Sequence, residues 1–322
     1  MVYLTEQGSK LCKQGNRLIV EKDEMKLADL PLIKVQTILI YGNVQITTQA
    51  LRLLLDEGVE TALFTFNGRF CGSLSPAKSK NIVLRMRHYE KARNETVALG
   101  IAKRIVSAKI QNMQSMMRSF LKNYPNPDIS LCILELKKWF EKIDHKCKAQ
   151  NLLGVEGSAT VKYFDMYKRM FRGEIRFSGR NRRPPQDEAN ALMSFSYVLV
   201  GNELTLLLNA CGLDPYLGFY HGIQYGRASL GLDMLEPFRP TVDRFVLYLV
   251  NLGIFKKSDF TAREGGIYLL PDALKRFFGY YEKFMTKPDA SGKSIREYIR
   301  LQVENLVKTI MDDRDFLPFS LS

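Results

Sequence analysis

Leu74-Ser-Pro-Ala-Lys-Ser-Lys-Asn81 is the stretch at which the chain changes its period. It is mostly polar and holds a proline, the composition of a connection rather than of a packed element. Before it, apolar residues come in short runs rich in β-branched side chains, each closed by a turn signal; after it, they recur at helical spacing with few breakers. The reading is α+β: a small N-terminal β-rich domain over 1–75, a linker over 76–81 and a larger all-helical C-terminal domain over 82–322.

Upstream, Arg17 to Lys22 follows a Gly15-Asn16 turn, Ile33 to Tyr41 is rich in β-branched residues, and Glu60 to Phe66 runs into Asn67-Gly68. Asn and Gly tolerate positive φ, so this pair predicts a two-residue hairpin turn into a strand over Arg69 to Ser73. One helix interrupts the strands, capped by Thr47 or Thr48, striped by Leu51, Leu54 and Leu55, and ended by Gly58.

Downstream, helical patterns cover Ile82 to about Asn123, Ile129 to Leu153, Ser158 to Phe171, Asp187 to Cys211, Val242 to Leu252 and Ile295 to Met311. Pro184-Pro185 cannot continue an earlier helix, and Asp187 and Glu188 suit the positive end of the next. That helix is apolar nearly all round, which places it at the centre of its domain. Ala191 to Leu213 has the length of a bilayer span, but Asn202, Glu203 and Asn209 lie inside it, so it reads as a buried helix and no membrane is implied. Lys287 to Ser294 and the tail after Asp312 read as mobile.

The 322 residues, 46% hydrophobic, suffice for about two domains. The 47 Lys and Arg against 34 Asp and Glu leave a net charge of +13, which excludes an acidic or neutral surface and suits a protein that meets a polyanion. Arg172, Arg176, Arg180, Arg182 and Arg183 crowd one stretch, and guanidinium forks match phosphate oxygens. A second run, Lys78, Lys80, Arg85, Arg87, Lys91 and Arg93, is open to reading as a solvated helix face. Together they point to nucleic acid. The 5 cysteines (12, 71, 132, 147 and 211) are odd in number and lack a C-x-x-C pair, which excludes a disulfide framework and a zinc ribbon. The start Met-Val-Tyr-Leu-Thr-Glu has no secretory pattern, so a cytoplasmic protein is expected.

There are 3 histidines. His88 and His145 lie among charged residues and read as solvated, whereas His221 closes the Gly- and Pro-punctuated run Gly212-Leu-Asp-Pro-Tyr-Leu-Gly-Phe-Tyr-His-Gly222. Asp233 and Glu236 share a face if their segment is helical, either as metal ligands or as a solvated face. Glu156, between Gly154 and Gly157 at the expected entry to a helix carrying Lys162, reads either as a carboxylate favouring the helix dipole or as one that a ligand approaches past glycine. Spacing alone does not bring Glu156, His221 and Glu236 together.

Gly154-x-Glu156-Gly, Arg180-x-Arg-Arg-Pro-Pro-x-Asp187-x-x-Asn190-Ala-Leu192, Gly212-Leu-Asp-Pro-Tyr-x-Gly-x-x-His221 and Leu232-Asp-x-x-Glu236-Pro-Phe-Arg-Pro240 together, in this order, resemble the CRISPR-associated spacer-acquisition integrase and endonuclease family, the first of the numbered Cas proteins. The resemblance covers essentially the whole chain. It implies a metal-dependent enzyme that joins the 3′-hydroxyl ends of short DNA fragments to a repeat by phosphodiester transfer, and nicks DNA when water attacks instead. It further implies Glu156, His221 and Glu236 as ligands of Mg²⁺ or Mn²⁺, Asp233 as an auxiliary catalytic carboxylate, and DNA contacts at Lys162, Arg180, Arg182, Arg183 and Asn190. Homodimers joined through the β domains and bridged by a small ferredoxin-like partner, the second numbered Cas protein, are implied as well. The reading from another class is a catalytically inactive DNA-binding scaffold of the same fold.

Overall fold

A computed structural model describes residues 1–35, 37–66, 70–75, 81–145, 148–181 and 184–321. The chain divides into two compact units, Met1–Lys80 and Asn81–Ser322. The first is strand-rich: β1 (Val2–Leu4), β2 (Lys10–Gln14), β3 (Arg17–Lys22), β4 (Met25–Pro31), β5 (Thr37–Tyr41), β6 (Gln45–Ile46), α1 (Thr48–Asp56), β7 (Glu60–Phe64) and β8 (Phe70–Leu74). They form two four-stranded sheets, ordered β1-β5-β7-β8 and β4-β3-β2-β6. In the first, β5 pairs in parallel with β1 and β7, with Leu39 opposite Tyr3 and Ala62, while β8 returns antiparallel to β7. Leu11, Leu18, Ile38, Ile40 and Leu54 pack into one core between the sheets and α1. As expected, Thr47 caps α1, accepting from the Ala50 amide at 3.2 Å, and Gly58 follows its end with φ +75°. The Asn67-Gly68 turn and residues 76–80 of the expected linker lie outside the described residues.

The second unit runs α2 (Ile82–Arg93), α3 (Glu95–Leu121), α4 (Pro127–Glu141), α5 (Ala149–Tyr167), α6 (Glu188–Cys211), α7 (Ser229–Leu235), α8 (Arg239–Asn251), β9 (Phe260–Arg263), β10 (Gly266–Leu269), α9 (Pro271–Thr286) and α10 (Ile295–Asp312). It is mostly helical rather than all-helical. Glu264 and Gly265 adopt φ +48° and +72°, and this left-handed turn closes a β9–β10 hairpin that helical periodicity did not announce. The single helix expected up to about Asn123 is two, because Asn94 ends α2 and its side chain caps α3, accepting from Thr96 N at 3.1 Å and Val97 N at 3.2 Å. α6 is long and apolar enough to cross a membrane by composition, yet 61% of its most apolar window is buried by neighbouring helices. Its Glu203 is buried, accepting from Tyr281 at 3.0 Å and Arg296 at 3.2 Å.

Both segments expected to be mobile make defined contacts. Asp289 accepts from Ser291 and Tyr298 and so closes the Lys287 to Ser294 loop on itself. The tail after Asp312 buries Phe316, Phe319 and Leu321, large side chains whose removal from water outweighs the ordering of a few residues. No disulfide joins the four described cysteines; Cys147 lies outside the described residues.

Candidate active site

α3 buries a lysine on a mostly apolar face: Ile105, Val106, Lys109, Asn112, Met113 and Met116 are all buried. Lys109 is 4% exposed, and its ammonium reaches two carboxylates from different elements, Glu156 Oε1 on α5 and Glu236 Oε2 at 2.5 Å. Thr160, one turn along α5, donates to the same Glu156 oxygen at 2.8 Å. The helix begins at Ala149, so Glu156 stands within it and not at its entry. Gly154 and Gly157 are therefore helical glycines, and a Cβ added at either would meet nothing within 4 Å. Each costs the helix about 0.5–1 kcal/mol relative to alanine without relieving any packing.

His221 lies in the loop between α6 and α7, and Asp233 beneath it decides its orientation. Asp233 is 0% exposed. Its Oδ2 accepts from the Phe219 and Tyr220 amides at 2.6 and 2.9 Å, and its Oδ1 from the His221 amide at 2.9 Å and His221 Nδ1 at 2.7 Å. A carboxylate facing Nδ1 assigns the proton to that nitrogen and leaves the Nε2 lone pair free. Gly218 permits this fit, since a Cβ there would stand 2.6 Å from Asp233 Oδ2. His88, expected to be solvated, is wholly buried under the same loop; its Nε2 lies 3.0 Å from Leu217 O and its ring 5.6 Å from that of Phe219. Burial pushes its pKa below the usual range, so a neutral ring donates to Leu217.

Glu236 occupies the tight turn between α7 and α8. Burial alone would push its carboxyl up, but Arg239, whose Nε donates to Oε1 at 2.8 Å, and then Lys109 outweigh it and hold the group well below the usual carboxylate range. The turn is braced from behind. Asn112 donates to Pro237 O at 2.7 Å and Phe319 O at 3.0 Å and accepts from Leu321 N at 2.7 Å. The Phe319 ring stacks on Phe238 at 4.5 Å, while Gln302 joins Met234 O at 2.7 Å to Phe319 N at 2.9 Å. The C-terminal tail thus wedges the turn that presents Glu236.

Behind Arg239 lies a further buried carboxylate, Asp243. Asp243 accepts from Tyr163 at 2.8 Å and from Tyr197, while Tyr167 donates to its carbonyl at 2.9 Å. Burial pushes its pKa up to about 6, against the hydrogen bonds of Tyr197 and Tyr163 and the charges of Arg180 and Arg239. Both arginines lie over the Tyr197 ring, 5.4 and 4.7 Å from its centroid.

Glu156, His221, Glu236, Lys109, Tyr220, Arg180 and Arg239 line one open cleft of about 930 Å³. The three residues expected as ligands therefore line the same cleft, although distant in sequence, with Asp233 buried against His221. The Tyr220 hydroxyl is buried there without a partner among the described residues. Burial and then the charges of Glu156, Glu236 and Asp233 push its pKa up, so it remains a neutral donor. Asn190 is corrected as a DNA contact: it is 0% exposed, and its amide holds Gly179 O, Asp187 Oδ2 and Arg180, which shapes the loop that carries Arg180. Lys162 is exposed, pairs with Glu135 at 3.4 Å and lies outside the cleft lining. Arg182 and Arg183 lie outside the described residues. Part of the second cation run braces α10: Arg87 and Lys91 donate to Met311 O and Thr309 O, acceptors at a helix C-terminus.

Two carboxylates and an imidazole are a donor set suited to Mg²⁺ or Mn²⁺, and the Lys109 ammonium already stands as a cation between the carboxylates. The residues fit the ion chemically. Among the described residues no group of three or more His, Cys, Asp or Glu side chains is gathered closely enough to hold a metal ion. Lys109 and Tyr220 were missed as site residues from sequence; a lone lysine at helical spacing among Ile105, Val106, Met113 and Met116 was the available signal for the first.

The family model described as CRISPR associated protein Cas1 matches residues 2–283. A CRISPR-associated exonuclease Cas4/endonuclease Cas1 fusion of Geobacter sulfurreducens is 33% identical, over 88% of this chain and 52% of its own length, so the chain spans about half of that relative. A CAS1 protein structure from Thermotoga maritima is similar at TM-score 0.85 and 27% identity, over 100% of this chain and 99% of that one. A chain of a Cas6-RT-Cas1–Cas2 complex shares the fold at TM-score 0.86 and 24% identity, over 100% of this chain and 36% of its own.

Proposed function

Because the chain belongs to the CRISPR-associated Cas1 family, we propose that it is a divalent-metal-dependent DNA endonuclease and integrase of CRISPR adaptation, joining 3′-hydroxyl ends of short DNA fragments to a repeat by phosphodiester transfer. The observation that carries this reading is the convergence of Glu156, His221 and Glu236, from three separate elements, on one open cationic cleft. These residues would hold Mg²⁺ or Mn²⁺. When bound, the ion supplies positive charge to a nonbridging phosphate oxygen and favours the anionic form of the attacking oxygen.

The chain's own groups do the rest. Asp233 fixes the His221 ring so that Nε2 offers a lone pair and not a proton. Arg239 keeps Glu236 ionised at neutral pH. Arg180, tethered at 2.8 Å to Asn190 and at 3.1 Å to Ser194, presents a guanidinium at the cleft wall where a phosphodiester enters. The Tyr220 hydroxyl, buried and neutral, donates a hydrogen bond to a substrate oxygen. Whether the positioned oxygen is a DNA 3′-hydroxyl or water decides between strand transfer and nicking.

The family resemblance further supports a homodimer working in the cytoplasm with the small Cas2 partner, and a structural neighbour carries Cas2 in the name of its complex. The test is transfer of a labelled duplex with a free 3′-hydroxyl into a supercoiled plasmid bearing a repeat, with Mn²⁺ and the partner present and His221→Ala alongside. Covalent product from the unsubstituted protein alone is expected. Intact DNA binding with no product would instead make the protein a scaffold.

A further inference from the structure

The charges around Glu236 balance without a metal. Glu156 and Glu236 carry two negative charges; Lys109 and Arg239 carry two positive ones, and all four groups meet through direct ion pairs. A divalent ion added between the carboxylates would leave two uncompensated positive charges in a region where Lys109 and Glu236 are both 4% exposed and like charges are poorly screened. The ion therefore competes with one of the two paired cations for the carboxylates. Arg239 is fixed: its Nε bonds Glu236 from the next turn, its guanidinium lies over the Tyr197 ring, and it opens α8. Lys109 reaches across from α3 on a flexible four-carbon stem, with its ammonium lining the open cleft.

We propose that Lys109 is the resident cation of this site: in the metal-free protein its ammonium holds Glu156 and Glu236 together, and an entering divalent ion displaces it into the cleft. The proposal rests on the metal assignment above. It extends that assignment to a residue with no ligating role, and it accounts for the lack of a gathered three-donor group among the described residues: the ammonium fills the place between the carboxylates. Lys109 is therefore a positioning residue that competes with the metal.

The test uses the full chain without DNA. Calorimetric titration with Mn²⁺ is compared for the unsubstituted protein, Lys109→Met, Lys109→Arg and Glu156→Gln, together with melting in EDTA. Lys109→Met is expected to bind Mn²⁺ at least tenfold more tightly and to melt lower in EDTA, with the loss recovered by Mn²⁺; Lys109→Arg is expected to show no such gain. Should Lys109→Met not fold, the unsubstituted protein answers alone. Acylation of Lys109 by an amine-reactive reagent, read by peptide mass spectrometry, is expected to rise several-fold when Mn²⁺ is added. Unchanged or weaker Mn²⁺ binding by Lys109→Met, or unchanged acylation under saturating Mn²⁺, overturns the proposal; if Glu156→Gln still abolishes Mn²⁺ binding, the metal assignment stands without it. Absence of Mn²⁺ binding in every form overturns both.

Discussion

Replacing Asp233 by asparagine keeps the side chain's shape and removes one of two acceptor oxygens, each of which serves two donors. The Phe219 and Tyr220 amides converge on Oδ2, and the His221 amide and ring on Oδ1. The two amides on Oδ2 cannot reverse, so the asparagine carbonyl must face them. Its NH₂ then faces His221, whose ring can respond by moving its proton from Nδ1 to Nε2, whereas the His221 backbone N–H cannot. One buried donor left unsatisfied costs about 1–3 kcal/mol. The tautomer change carries a second penalty of a different kind: the nitrogen facing the cleft becomes a donor and can no longer ligate. Urea unfolding of Asp233→Asn is therefore expected to show a loss of about 1–3 kcal/mol, the range for that single donor. Nitrogen NMR of His221 should report the proton on Nε2, and Mn²⁺ binding should fall. A variant as stable as the original, with its ring still protonated at Nδ1 and its Mn²⁺ affinity intact, would refute the assignment of Asp233 as the group that orients His221.

Two further expectations concern parts of the molecule behind the cleft. Phe319→Ala removes a ring that is 6% exposed and stacked on Phe238. It is expected to cost about 3–5 kcal/mol in denaturant unfolding, as for other large-to-small core changes, and to weaken Mn²⁺ binding through Glu236; unaltered stability would show that the tail does not brace the turn. Asp243, raised to about 6 from 3.8, binds its proton more tightly folded than unfolded. Its contribution to stability is therefore fully present below about pH 4 and is lost as pH rises to about 6, by about 3 kcal/mol at most. The unfolding free energy of the unsubstituted protein minus that of Asp243→Asn should fall across that window, and a flat difference would contradict the burial argument.

What could be read from sequence follows from how local each signal is. Strand β3, the cap and end of α1, and the start of α6 at Asp187 are written in adjacent residues, and the structure places them where expected. The α5 boundary was misjudged because Gly154 and Gly157 look like punctuation, although a helix supported along its length by α3 and α4 tolerates two glycines. His88 looked solvated because its neighbours are charged; its own side of α2, with Leu84, faces the core. The β9–β10 hairpin is short, and its strands are too brief for alternation to register. The arrangement of Glu156, His221 and Glu236 around one cleft could not be read from spacing. It depends on α3 lying beside both α5 and the turn after α7, and these are contacts between distant parts of the chain.

That dependence explains why Glu236-Pro-Phe-Arg239 is the segment on which the site turns. Glu236 faces Lys109, Pro237 gives its carbonyl to Asn112, Phe238 carries the tail ring, and Arg239 bonds back to Glu236 while lying over the Tyr197 ring that joins it to Asp243. Four consecutive residues, three through side chains and Pro237 through its carbonyl, thus engage α3, the tail, α6 and the helix they begin. A displacement of any one is transmitted to the carboxylate, because apart from the cleft side the turn is held by packed neighbours. The position of Glu236 is consequently a property of the whole helical unit, and substitutions at Asn112 or Gln302, which touch no cleft residue, should alter metal affinity in proportion to the stability they remove.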